Sequence, residues 1–152
     1  MNTFFLVLAL AWQLTGSTKT VTPPIHVQET VKPVLDLCET AQATEGERQN
    51  AAFYTAAKLT GEVFRLKTKT GDEAVVVLMN FYIGESTDAD LLHEVTVRGK
   101  RMLPLLLKYR DAKVVFPGKK YPSSILVAAD VRKQNFDEAI KSIRDGKVIG
   151  EQ

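Results

Sequence analysis

A chain of 152 residues with 45% apolar and 25% charged side chains has the makeup of an ordinary globular domain, long enough to bury a core without disulfide or metal staples. Its formal net charge of +2 is too small to make nucleic acid or an anionic membrane a necessary partner. The single cysteine, Cys38, excludes an intrachain disulfide.

The apolar run Phe4–Trp12 (FFLVLALAW) is too short to span a bilayer, which takes about 20 residues. Small residues follow at Thr15-Gly16-Ser17, so residues 1–17 are expected to be an export signal, although no Lys or Arg precedes the run. The lone cysteine and the absence of any Asn-x-Ser/Thr site lean towards a bacterial periplasm over eukaryotic secretion. Residues 18–24 are polar, rich in Thr and end in Pro23-Pro24, which predicts an extended tether. Residues 25–149 are expected to form one helical domain, and 150–152 a tail.

The first helix is predicted within Ile25–Ala43, where Val27, Val31, Val34, Leu35, Cys38 and Ala41 share one side at 3.6-residue spacing. Pro33 lacks an N–H, so the regular helix is expected to start near Val31 with Thr30 as its cap; the alternative is a longer, kinked helix. A second helix spans about Glu47–Leu66, with Ala52, Phe53, Ala56, Ala57, Thr60, Val63 and Phe64 on its buried face. Its small residues admit close helix–helix approach. Thr70-Gly71-Asp72 reads as a stop followed by a new cap.

Glu73–Ile83 is apolar almost all round and predicts a central, buried helix ended by Gly84, with Asn80 as an interior polar group in need of a partner. Alternation over Phe64–Lys69 followed by Val75-Val76-Val77 keeps a rival reading open, a β-hairpin over 62–83. Asp88–Tyr109 is the next helix. Leu91, Leu92, Val95, Gly99, Met102, Leu103 and Leu106 lie on one arc, and Pro104 is expected to bend it after Lys100. Asp111–Ser124 is irregular, with a turn at Pro117-Gly118. Ile125–Val131 is expected to be helical behind Pro122 and Ser123, with a short buried strand as the alternative. The last helix is predicted at Phe136–Asp145, with Asn135 and Glu138 in capping-box spacing and Phe136, Ala139, Ile140 and Ile143 as its stripe. The fold class is therefore all-α: a compact bundle of about five helices in antiparallel hairpins.

No assembled chemistry is legible, and neither a catalytic residue nor a cofactor is assigned. Cys38 sits mid-stripe, the place of a small buried hydrophobe, with no base near it in sequence. His26 and His93 fall on polar helix sides and are expected to be solvated. His93-Glu94 begins like a zinc-protease helix, but Val97 stands where the second histidine is needed, so no metal site is assigned. No phosphate-cradling loop, dinucleotide fingerprint or nucleophile elbow occurs.

Charge segregation is the one functional signal. Asp72–Glu94 holds six acids and no Lys or Arg, whereas Arg98–Lys120 holds eight Lys and Arg and one acid. Asp90, Glu94, Arg98 and Arg101 follow at i+4, i+4 and i+3, so this helix face is expected to neutralise itself. That leaves Arg110, Lys113, Lys119, Lys120 and Tyr121 as the candidate partner-binding residues, facing another protein or an anionic surface. Nucleic acid is disfavoured because aromatics do not interleave with the cations. The favoured function is an exported, non-enzymatic macromolecule-binding protein. The alternatives are a carrier of a small apolar ligand, in a pocket among Phe53, Phe81, Tyr82 and Leu106, and an enzyme of unrecognised type.

Overall fold

Two very short strands and six α-helices follow one another in the computed structural model, which describes residues 19–150. The expected export signal, residues 1–17, lies outside the described residues. In chain order the elements are β1 (Lys19–Val21), α1 (Ile25–Gln42), α2 (Gly46–Phe64), α3 (Lys69–Leu78), α4 (Glu85–Arg98), α5 (Leu103–Arg110), β2 (Ala112–Val114) and α6 (Ala129–Arg144). Short 3-10 turns lie at Gly99–Met102 and Ser123–Ile125. The architecture is a mostly α bundle, and the hairpin over 62–83 does not form.

The stripe expected on α1 is the face that is buried: Val27, Val31, Val34, Leu35, Cys38 and Ala41. The helix nevertheless starts at Ile25, with Pro33 inside it and Thr30 Oγ1 donating back to His26 O. The longer, Pro-containing helix thus replaces a start at Val31. The physical reason is Val27, only 3% exposed one turn ahead of Val31. Burying such a side chain is worth about 1.5–3 kcal/mol, comparable to the cost of about 3 kcal/mol of an interior proline. Pro33 is also exposed, so water reaches the carbonyl it leaves unpaired.

The turn at 43–45 folds α2 back onto α1, and this pair forms the most extensive helix contact. Ala52, Ala56, Thr60 and Val63 are buried, while Phe53, Ala57 and Phe64 are half-buried. Thr70-Gly71-Asp72 is neither a stop nor a cap, since all three residues lie inside the first turn of the next helix. Lys69 opens α3, which Thr68 caps by accepting from Gly71 N–H at 3.1 Å. Gly71 is required there, because a Cβ would lie 1.9 Å from Leu66 O.

Every residue from Gly71 to Phe81 is buried, and α3 touches α1, α2, α4 and α5. It is the central helix the apolar run predicts, shifted towards the N-terminus. It ends at Leu78, and Phe81 instead forms an antiparallel bridge to Leu126. Gly84 does not cap it; with φ 117° it precedes the first turn of α4.

The long helix expected over Asp88–Tyr109 is divided at Gly99, whose φ of 81° a side chain would strain. Gly99 therefore serves the backbone break rather than a close helix contact, and an added Cβ would meet nothing within 4 Å. Pro104 falls in the first turn of α5, where its missing N–H costs little. Leu91, Val95, Met102 and Leu106 are buried, and Leu92, Gly99 and Leu103 half-buried. Only one 3-10 turn follows Pro122, and the last helix starts at Ala129 rather than Phe136, so Asn135 lies inside it and is no cap. Its stripe, Phe136, Ala139, Ile140 and Ile143, is buried as expected.

The segment read as a tether is partly structured. Lys19, Thr20 and Val21 pair in parallel with Ala112, Lys113 and Val114, and Val115 N–H donates to Val21 O at 3.0 Å. Among the described residues no helix is long and apolar enough to cross a membrane.

Candidate functional site

The turn after β2 builds one wall of a cleft of about 1080 Å³. Lys119 N–H closes onto Phe116 O at 3.2 Å across Pro117-Gly118, which folds Lys119, Lys120 and Tyr121 back over β2. The opposite wall is the start of α6. All five residues expected from sequence, Arg110, Lys113, Lys119, Lys120 and Tyr121, line this one cleft. Sequence reasoning missed Arg132 and Lys133, which α6 adds to the lining; Phe81, Phe116 and Leu126 join it from the segments after α3 and β2.

The cations are not equivalent. Lys119 Nζ is 2.6 Å from Glu39 Oε1, a hydrogen bond that holds its ammonium pKa above the usual value. Lys119 is thus paired, not an available cation. Arg110 is shared between Asp111 at 3.3 Å and Asp137 at 3.6 Å. Lys113, Lys120 and Lys133 are exposed and have no carboxylate within 4.0 Å among the described residues. Asp111 is the sole acid of the lining.

Beneath the cations lies an aromatic triangle. Ring centroids stand 6.1 Å apart for Phe81 and Phe116, 6.0 Å for Phe81 and Tyr121, and 5.5 Å for Phe116 and Tyr121. Tyr121 meets both phenylalanines edge to face, a favourable geometry for aromatic pairs, whereas Phe81 and Phe116 are tilted at 46°. Tyr121 donates its hydroxyl to Asp36 Oδ1 at 2.8 Å, and burial plus that carboxylate push its pKa up, so it stays a neutral phenol.

Arg132 holds the cleft base together. Nε donates to Asn80 Oδ1 at 2.5 Å, Nη1 to Arg110 O at 2.6 Å, and Nη2 to Ala112 O at 2.8 Å and to Tyr109 O. These carbonyls close α5 and open β2, so one guanidinium joins three elements. It packs 4.9 Å over the Phe136 ring, one helical turn away. Burial lowers its pKa, partly offset by Asp111, yet an arginine remains charged. The partner that Asn80 needs is found here: its Nδ2 donates to Val76 O and Val77 O, and its carbonyl accepts from Arg132. The one legible signal for Arg132 is its i−4 spacing from Phe136.

A second cluster of titratable groups ties helices together away from the cleft. Arg98 is buried, with 1% of its side chain exposed, and donates to Asp72, Glu94, Leu66 O and Phe64 O. Arg101 reaches Asp72 at 3.0 Å, so the acids and bases of this helix pair largely across helices, and only Glu94 and Arg98 pair along it. Burial alone would raise the Asp72 and Glu94 carboxyl pKa values. Hydrogen bonds and charge from Arg101 and Arg98 at Asp72, and from Lys67 and Arg98 at Glu94, outweigh it and hold both below the usual range. Cys38 is fully buried, and burial with the Asp88 charge pushes its thiol up to about 12, which keeps it protonated. His93 is half-buried instead of solvated, with Nδ1 2.8 Å from Ile149 O, whereas His26 is exposed beside Glu29. Of the residues expected to form an apolar pocket, only Phe81 lines the cleft; Phe53 and Tyr82 meet edge to face, and Leu106 is buried in the core.

Asp88 gives a pH-dependent test. Burial, reinforced by Glu85, raises its pKa from 3.8 to about 6. The folded state therefore holds this proton more tightly than the unfolded chain, and stability present in acid is lost as pH rises through about 6. Asp88→Asn keeps an acceptor for Ile83 N–H and removes the charge. It is expected to gain on the order of 2 kcal/mol at pH 7.5 and nothing near pH 4. Equal melting temperatures for variant and parent at both pH values would contradict the burial of this carboxylate.

No family model, curated protein or solved structure matches this chain.

Proposed function

We propose that this protein is an exported, non-catalytic binding protein that captures an acidic segment of another protein in the cleft between β2 and α6. The observation that carries the reading is that Lys113, Lys120 and Lys133, exposed and without a carboxylate partner among the described residues, share with an aromatic triangle one concavity whose lining holds a single acid. A cleft of about 1080 Å³ is at the large end for a small-ligand pocket and has the scale of a groove. Exposed lysines supply steering and sign selectivity, while Phe116, Tyr121 and the exposed Leu126 supply apolar contact area. The apolar run Phe4–Trp12 is what supports export.

The test uses a fluorescent oligoglutamate peptide and its anisotropy. Lys113→Glu, Lys120→Glu and Lys133→Glu together are expected to weaken binding at least about tenfold, the equivalent of about 1.4 kcal/mol. The melting temperature is expected to stay within about 2 °C, because exposed charges contribute little to stability. Undiminished binding by the triple variant would overturn the assignment.

A further inference from the structure

The edge of β2 that faces the cleft is open, and this specifies how a partner is held. In an extended strand the N–H and C=O of one residue point to one edge, and those of the next residue to the other. Val115 N–H donates to Val21 O, so that edge of β2 is occupied by β1. Alternation turns Val114 N–H and C=O to the opposite edge. Ala112 C=O marks the same edge, since it accepts from Arg132, and Arg132 and Val114 both line the cleft. Among the described residues neither Val114 N–H nor Val114 C=O has a hydrogen-bond partner beyond the β1 pairing.

An open edge of this kind is a template for another strand. Beside it stand the aromatic triangle and the unpaired ammonium groups of Lys113, Lys120 and Lys133. We infer that the partner binds as an extended peptide that adds to the Val114 edge of β2 as a third strand, with acidic residues towards the three lysines and alternate apolar residues on Phe116, Tyr121 and the exposed Leu126. The occupant is chosen by charge complementarity: a basic or neutral strand would leave those lysines uncompensated. The inference rests on the proposed function and adds the backbone geometry to it.

The probe is a ten-residue peptide of alternating Glu and Val with blocked termini, followed by fluorescence anisotropy. Polyacrylate, which has the charge but no amides, is the second probe. Val114→Pro removes the outward N–H and leaves the Val115 bond to Val21 in place. It is expected to weaken the alternating peptide at least tenfold and to leave polyacrylate binding unchanged. With the parent protein, peptides N-methylated on all valines or on all glutamates are expected to differ, one losing binding and the other keeping it, because only one set of amides faces β2. In the complex, amide hydrogen exchange at Val114 is expected to slow markedly. Equal binding by both methylated peptides, or Val114→Pro binding like the parent, would overturn strand addition while leaving the basic cleft standing. If Lys113→Glu, Lys120→Glu and Lys133→Glu together leave both probes unaffected, the cleft itself is the wrong surface and both readings fall.

Discussion

Arg98→Ala is expected to cost about 3–5 kcal/mol of stability. Its guanidinium is 2.7 Å from Asp72, 3.0 Å from Glu94 and 3.0 Å from the Leu66 and Phe64 carbonyls, with almost no access to water. Removing it leaves the end of α2 with two unpaired carbonyls and strips both carboxylates of a buried partner. Asp72 keeps Arg101 and Glu94 keeps Lys67, which places the loss within that range and not above it. For a domain of this size the melting temperature should fall by about 10 °C. Arg98→Lys keeps the charge but cannot satisfy four acceptors in two directions, so it should fall between parent and Ala variant. A shift under about 2 °C for Arg98→Ala would show that this network adds no stability to the folded state.

Phe136→Ala should cost a similar amount, about 3–5 kcal/mol, because the ring is fully buried and its removal opens a cavity in the core. A second consequence separates it from other core truncations. The ring is the platform on which Arg132 lies, and Arg132 ties α6 to Asn80 and to the carbonyls of Tyr109, Arg110 and Ala112. Losing the platform should loosen the cleft base and weaken peptide binding, under conditions in which the variant is still folded. Phe136→Leu retains most of the volume and is expected to lose about 1 kcal/mol, part of it the cation–ring contact. Denaturant unfolding at two temperatures gives the first quantity and anisotropy the second. A variant as stable as the parent would contradict the placement of Phe136.

The helical stripes were legible because burial repeats at a spacing the chain displays openly. On α1 and α6 every residue of the expected stripe is buried. The boundaries were less legible, since they depend on tertiary competition. Pro33 lies inside a helix because Val27 must be covered, and Gly99 divides a helix that the apolar arc alone would continue. The charge segregation led to five residues that share one cleft, but pairing could not be read from it. Glu39 and Asp36, which engage Lys119 and Tyr121, stand on α1, far away in sequence. Arg132 was missed for the same reason: it is defined by backbone carbonyls of other elements, and carbonyls leave no mark in the side-chain pattern. For Arg98 the i+4 spacing showed the pair with Glu94 but not the bonds to Asp72 and the Leu66 and Phe64 carbonyls.

The parallel pairing of β1 with β2 imposes an order of events on the newly made chain. Lys19–Val21 emerges from the ribosome first among the described elements, yet its partner Ala112–Val114 is completed only after five helices have followed. Closing so wide a loop is slow relative to local helix formation, so this ladder is expected to zip late, after the helices have collapsed. The cleft edge therefore takes shape in the final stage of folding, and a refolding chain should gain partner affinity only after its helical content has returned.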